Sequence, residues 1–194
     1  PVKLAAMEAH YRTQAGAPLL LGGMPHDATG TTDYALSLPR GLSLLLDDNP
    51  NATVIGLEAF PRDTWPNVRI VHWSFDLMVA SGFMMLAVAG WVGWTWWRGR
   101  RPADHPRLLR ALVLAGPLGF VAIETGWVVT EVGRQPWIIY QVIRTADAVT
   151  PMPGVAVPFI AFTVLYLVLA FVVVKLLRRL FVETAAAPSQ LPSA

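Results

Sequence analysis

The 194-residue chain has no cysteine. That excludes disulfides, thiolate-ligated haem, iron–sulfur clusters and Cys-type zinc sites from this segment, so any metal or haem must be held by His, Met or a carboxylate. Charge is also scarce: 14% of residues are Asp, Glu, Lys or Arg while 54% are hydrophobic, against about 25% charged in an average soluble domain. This places the chain in the membrane class. The formal charge of +2 does not argue for nucleic acid, because the basic residues flank apolar runs and are not spread over a surface among aromatics. An initiator Met and a signal peptide are absent too, which leads us to expect the carboxy-terminal portion of a longer protein.

Three apolar stretches are long enough to cross a hydrocarbon core of about 30 Å, which takes roughly 20 helical residues. They are about Val71–Trp97, Leu108–Val132 and Val155–Leu177. None alternates as a barrel strand does, so the fold class is all-α: an integral membrane protein with three transmembrane helices over 71–182. Residues 1–70 carry repeated Pro and Gly and read as an extramembrane loop region with short helices over Val2–Gln14 and Leu42–Leu46. Residues 183–194, rich in Ala, Pro and Ser, read as a disordered tail. Arg98, Arg100, Arg101, Arg107 and Arg110 follow the first span, and Lys175, Arg178 and Arg179 close the third. The positive-inside rule therefore puts these ends and the carboxy terminus in the cytoplasm, with residues 1–70 and 133–154 outside. The cluster Trp91, Trp94, Trp96 and Trp97 suits an inner interfacial belt.

Ionisable groups inside a span are costly and commonly mark a site. Glu124 and Glu131 lie seven residues apart on one helix face, with Trp127 between them. Glu131 is followed by Gly133-Arg134-Gln135-Pro136-Trp137. A carboxylate beside a fixed Arg suits an anionic metal-containing cofactor, or it suits a solvated Glu131 ion-paired with Arg134; spacing does not choose between them. Met78 follows His72 and Asp76, and its thioether is of the type that ligates haem opposite a histidine, although Met in an apolar helix more often serves packing. Lys3 and Glu8 begin the outer loop, where a cation and a carboxylate can hydrogen-bond a quinol head group and take its protons, or form a solvated helix face.

Taken together, Pro1-Val2-Lys3-Leu4-Ala5-Ala6-Met7-Glu8, Ser74-Phe75-Asp76-Leu77-Met78-Val79, Glu124-Thr125-Gly126-Trp127 and Glu131-Val132-Gly133-Arg134-Gln135-Pro136-Trp137 resemble subunit I of the cytochrome bd-type quinol oxidases. Their order and spacing match the outer quinol loop and last three helices of that family, in its compact-loop, cyanide-insensitive branch. The resemblance implies a bacterial inner-membrane enzyme that oxidises quinol, reduces dioxygen to water and builds a proton gradient without pumping. It implies low-spin haem b, high-spin haem b, and haem d or a further haem b, with subunit II as partner and a small accessory subunit as a further candidate.

Residue by residue, the resemblance implies that Lys3 and Glu8 lie at the quinol site, Met78 ligates the low-spin haem b iron and Glu131 the high-spin haem b iron. Trp127 packs among the haems, Arg134 lies near their propionates, and Glu124 is a proton-relay candidate. The family's histidine ligands come from helices upstream of Pro1, so the segment is not expected to be active alone. One departure stands out: where well-known members carry Arg two residues before the Met, this chain has Asp76, and an acid there favours the oxidised haem. The rival classes are a haem-binding or anchoring membrane subunit, for which His pairs on the spans are expected, and a proton-coupled transporter fragment using Glu124, Glu131 and Asp76.

Overall fold

The computed structural model describes residues 1–149 and 153–186. The described chain divides into two compact units, split between Ala148 and Val149.

In the first unit, the outer region opens with the short helix α1 (Val2–Met7). Strands β1 (Gln14–Ala15), β2 (Leu19–Leu21), β3 (Met24–His26), β4 (Thr31–Asp33) and β5 (Leu36–Leu38) follow, then helix α2 (Gly41–Asp47) and strand β6 (Thr53–Val54). The strands form two-stranded antiparallel ribbons, β1 with β6, β2 with β5 and β3 with β4. The last two are one long hairpin, because Leu21 faces Leu36 and Met24 faces Asp33 in unbroken register. Between them the ladder is interrupted at Gly22 and Gly23, whose positive φ angles of 66° and 95° swing the backbone out. Glycine is required at 23, where a Cβ would stand 2.8 Å from both the Ala35 Cβ and the Asp33 carbonyl oxygen.

Helix α3 (Val68–Trp97) starts at Asn67, whose side chain accepts from the Ile70 N–H at 3.1 Å and so satisfies one of the free donors of the first turn. The second apolar stretch is broken. Gly116-Pro117 divides α4 (Pro106–Ala115) from α5 (Leu118–Gly133), since Pro117 has no N–H to give to the helix ladder. Beyond α5 lies a fourth antiparallel ribbon, β7 (Trp137–Ile139) with β8 (Ile143–Arg144). The Arg144 guanidinium donates to Asp63 at 2.7 Å, which ties this connection to the outer loop and puts both at the same end of α3 and α5.

The core of this unit lies where α1 meets the helices. Val2, Ala5, Ala6 and Ala9 pack with Leu57, Val68 and Val71, and Val132 of α5 closes the cluster. Small residues on α1 let its backbone lie close against α3, so the outer loop is seated on the membrane helices over a dry contact. The second unit contributes α6 (Ala156–Ala186), apolar along most of its length, with Lys175, Arg178 and Arg179 in its carboxy-terminal third.

Among the described residues three helices are long and apolar enough to cross a membrane: Val68–Trp97, Pro106–Gly133 taken across its break, and Ala156–Glu183. The all-α class holds, with short strands added where the sequence suggested only loop. Three boundaries differ from expectation by three residues or more. Helix α1 stops at Met7 instead of Gln14, because Ala9 turns into positive φ. Helix α3 begins three residues before Val71, at its Asn cap. Residues 183–186, assigned from sequence to the tail, continue α6; the remainder of that expected tail lies outside the described residues.

Candidate functional site

Glu8 is the C-cap of α1 and is buried, with 4% of its surface exposed. It lines an apolar groove of about 1150 Å³ whose walls include Leu20, Leu21, Leu45, Trp73 and Phe83. Its carboxyl is pushed up from 4.5 to about 7, first by burial, then by the nearby Asp76 carboxylate, with His72 acting in the opposite direction. Glu8 is thus poised to exchange a proton near neutral pH at the end of a pocket shaped for an apolar molecule.

His72, on the second turn of α3, is wholly buried. Its Nδ1 lies 2.8 Å from the Met7 carbonyl oxygen and its Nε2 lies 3.0 Å from that of Gly22. One helical turn on, the Asp76 carboxylate accepts from the Gly22 N–H at 2.7 Å and lies 3.5 Å from His72 Nε2. Trp73 Nε1 donates to the Gly23 carbonyl at 2.9 Å. Asp76 is therefore engaged by the outer loop. The only trace of this in the sequence is the i, i+4 spacing of His72 and Asp76, and nothing local connects it to a glycine pair 54 residues earlier.

Lys3 and Glu8 do not share a cavity. Lys3 lies with its aliphatic stem against α5, where a Cβ at Gly133 would stand 3.1 Å from Lys3 Cε. It lines a separate cavity of about 310 Å³ with Arg134, Gln135, Trp137 and Tyr140. The indole Nε1 of Trp137 is buried there without a hydrogen-bond partner. Two cations and a free N–H suit an anionic group.

Met78 faces the seam between α3 and α5, and a Cβ at Gly126 would stand 3.2 Å from its Sδ. The glycine leaves room beside the thioether that any larger residue would take. Glu124, Trp127 and Glu131 line one face of α5 and are exposed in this chain by itself; Glu131 is ion-paired with Arg134. That pairing is what the solvated alternative anticipated, and it equally holds the carboxylate beside the cation. Among the described residues no group of three or more His, Cys, Asp or Glu comes together as a metal site. A thioether and single carboxylates do fit a haem, whose iron takes one axial ligand from each side.

The fold and these sites define a helical membrane protein with an extramembrane loop region docked on its helices. A model of the family described as cytochrome bd terminal oxidase subunit I matches residues 1–185, and the chain belongs to that family. It is 37% identical over 182 residues to the putative cytochrome bd menaquinol oxidase subunit I of Bacillus subtilis (strain 168), covering 93% of this chain and 41% of that protein. It is 29% identical over 193 residues to the cytochrome bd ubiquinol oxidase subunit 1 of the same strain, covering 92% and 41%. The structure of bd oxidase from Geobacillus thermodenitrificans superposes with a TM-score of 0.79 at 38% identity, over 94% of this chain and 42% of that one. The chain thus spans about two fifths of the length of these relatives.

Proposed function

We propose that this chain is the quinol-loop and distal-helix portion of a respiratory terminal oxidase in a bacterial cell membrane, working with subunit II. The carrying observation is Glu8, a buried carboxyl raised to about 7 at the end of a large apolar groove. The groove accepts the ring and apolar tail of a quinol. Ionised Glu8 takes a hydroxyl proton as the quinol gives up electrons, and releases it to the outer side. Each quinol yields two electrons and two protons, so two quinols reduce one dioxygen, with four cytoplasmic protons, to two waters. Charge is separated because protons are released outside and taken up inside.

Haems, when bound, carry the electrons between quinol and dioxygen. Met78 is assigned as ligand of a low-spin haem b and Glu131 as ligand of a high-spin haem b. Trp127 packs between them and Glu124 is a proton-relay candidate. Arg134 is assigned to the haem propionates, and Lys3 with Glu8 to the quinol site, Lys3 from the wall of its own cavity. The basic ends of α3 and α6 support a cytoplasmic carboxy terminus, with residues 1–70 and 133–154 outside. The family match and the absence of His pairs on the spans favour the oxidase over the anchoring subunit and the transporter.

The test is the full-length protein purified with subunit II. We expect a reduced-minus-oxidised spectrum with b-type bands and quinol-dependent oxygen uptake, with Glu8→Ala losing uptake while keeping haem. A colourless preparation, or normal quinol turnover by Glu8→Ala, would overturn the proposal.

A further inference from the structure

The hairpin carrying β2 to β5 breaks its own ladder at Gly22 and Gly23, which frees backbone groups that must find other partners. Those partners are side chains from two successive turns of α3. Asp76 accepts from the Gly22 N–H, His72 Nε2 meets the Gly22 carbonyl, and Trp73 Nε1 donates to the Gly23 carbonyl, at 2.7, 3.0 and 2.9 Å. The same His72 reaches Met7 O, the residue before Glu8, through its other nitrogen. Gly22, Gly23, Trp73 and Asp76 all line the groove on which Glu8 opens.

We infer that His72, Trp73 and Asp76 form a latch that fixes the Gly22-Gly23 turn and the Glu8 end of α1 on α3, and so set the shape of the quinol groove. Asp76 is here a positioning residue for quinol, acting on the loop and not on the haem two residues along. The inference rests on the quinol reading of the groove. The geometry explains why an acid suits this position: the group it meets is a backbone N–H, and only an acceptor can hold it. An Arg at 76 would present donors to that N–H and leave it unpaired.

The experiment uses the full-length oxidase with subunit II and compares Asp76→Ala, Asp76→Asn, Trp73→Phe and Glu8→Gln. Loss of a charge-assisted hydrogen bond that orders the turn should raise KM for quinol about 10-fold in Asp76→Ala, with kcat changed less than about twofold. Asp76→Asn keeps an acceptor oxygen for the Gly22 N–H and should recover KM to within about threefold of wild type. Trp73→Phe keeps the ring and loses the donor, and should raise KM in the same direction. The low-spin haem spectrum and midpoint potential should be unaltered in all three. Wild-type KM in Asp76→Ala, or a shifted haem potential without a KM change, overturns the latch. Impaired Glu8→Gln beside normal Asp76→Ala removes the latch alone, and normal turnover by both removes the quinol reading with it.

Discussion

Lys3 and Glu8 leave the same short helix on different sides and line two separate cavities, one against Gly133 and Arg134, the other among Leu20, Leu21 and Phe83. Five helical residues turn through about 140° beyond a full circle, so side chains at this spacing leave the helix in different directions. Residues close in sequence thus come to line different cavities.

Because Glu8 is raised to about 7, quinol oxidation should rise with pH through neutrality as the carboxyl ionises and becomes able to accept a proton. The linked effect on stability has the opposite sense. Between the ordinary value of 4.5 and about 7 the folded state holds the proton that the unfolded chain has lost, so stability from neutral Glu8 is full below 4.5 and is lost as pH rises through 7. Glu8→Gln should flatten both profiles, read as oxygen uptake and as amide hydrogen exchange of the outer loop against pH. A neutral-range limb persisting in Glu8→Gln would assign that proton to another group.

Met78→Leu in the intact enzyme should disturb the low-spin haem band while leaving the oxygen-side haems in place. Gly126→Val should do the same to a lesser degree, because even a Cβ at 126 would stand 3.2 Å from the Met78 sulfur and the added methyls must push it aside. Unaltered absorption spectra in both variants would remove Met78 as a ligand.

Gly56→Ala should loosen the outer loop. A Cβ there would overlap the backbone of Tyr11 and Arg12, which is fixed by the Leu57 N–H to His10 carbonyl and Glu58 N–H to Tyr11 carbonyl bonds and cannot step aside. A cost of about 1 to 3 kcal/mol is expected for such overpacking. Faster limited proteolysis within residues 1–67, with haem content retained, is the predicted observation.

Tyr34 is 98% exposed in the outer region and Ala103 is exposed in the basic connection after α3. In intact cells, Tyr34→Cys should react with a membrane-impermeant thiol reagent and Ala103→Cys should react only after permeabilisation. The absence of native cysteine from this segment makes the labelling specific to each introduced thiol within it. The reverse pattern would invert the proposed orientation.

Composition placed the chain in the membrane class, and its long apolar runs without alternation made it helical. The stretches around α3, α5 and α6 were legible because a lipid-facing helix needs a long apolar run, a local property of consecutive residues. The carboxylates within such runs were conspicuous by type, whereas the choice of Met78 and the roles of Lys3 and Glu8 came from the resemblance of whole motifs to the family. The short strands of residues 1–67 were not legible, since ribbons of two or three residues carry too little alternation to register. The break at Gly116-Pro117 was visible as residue types, but its interruption of the helix is a matter of backbone bonding.

Only the tertiary structure decided which cavity each group serves. Asp76 read from sequence as a charge beside the haem ligand, yet the fold turns it to a glycine N–H 54 residues away. That pairing depends on where a hairpin sheds its ladder bonds and on which helix face lies beneath it. Hydrogen bonds across such separations are fixed by packing, which no run of neighbouring residues records.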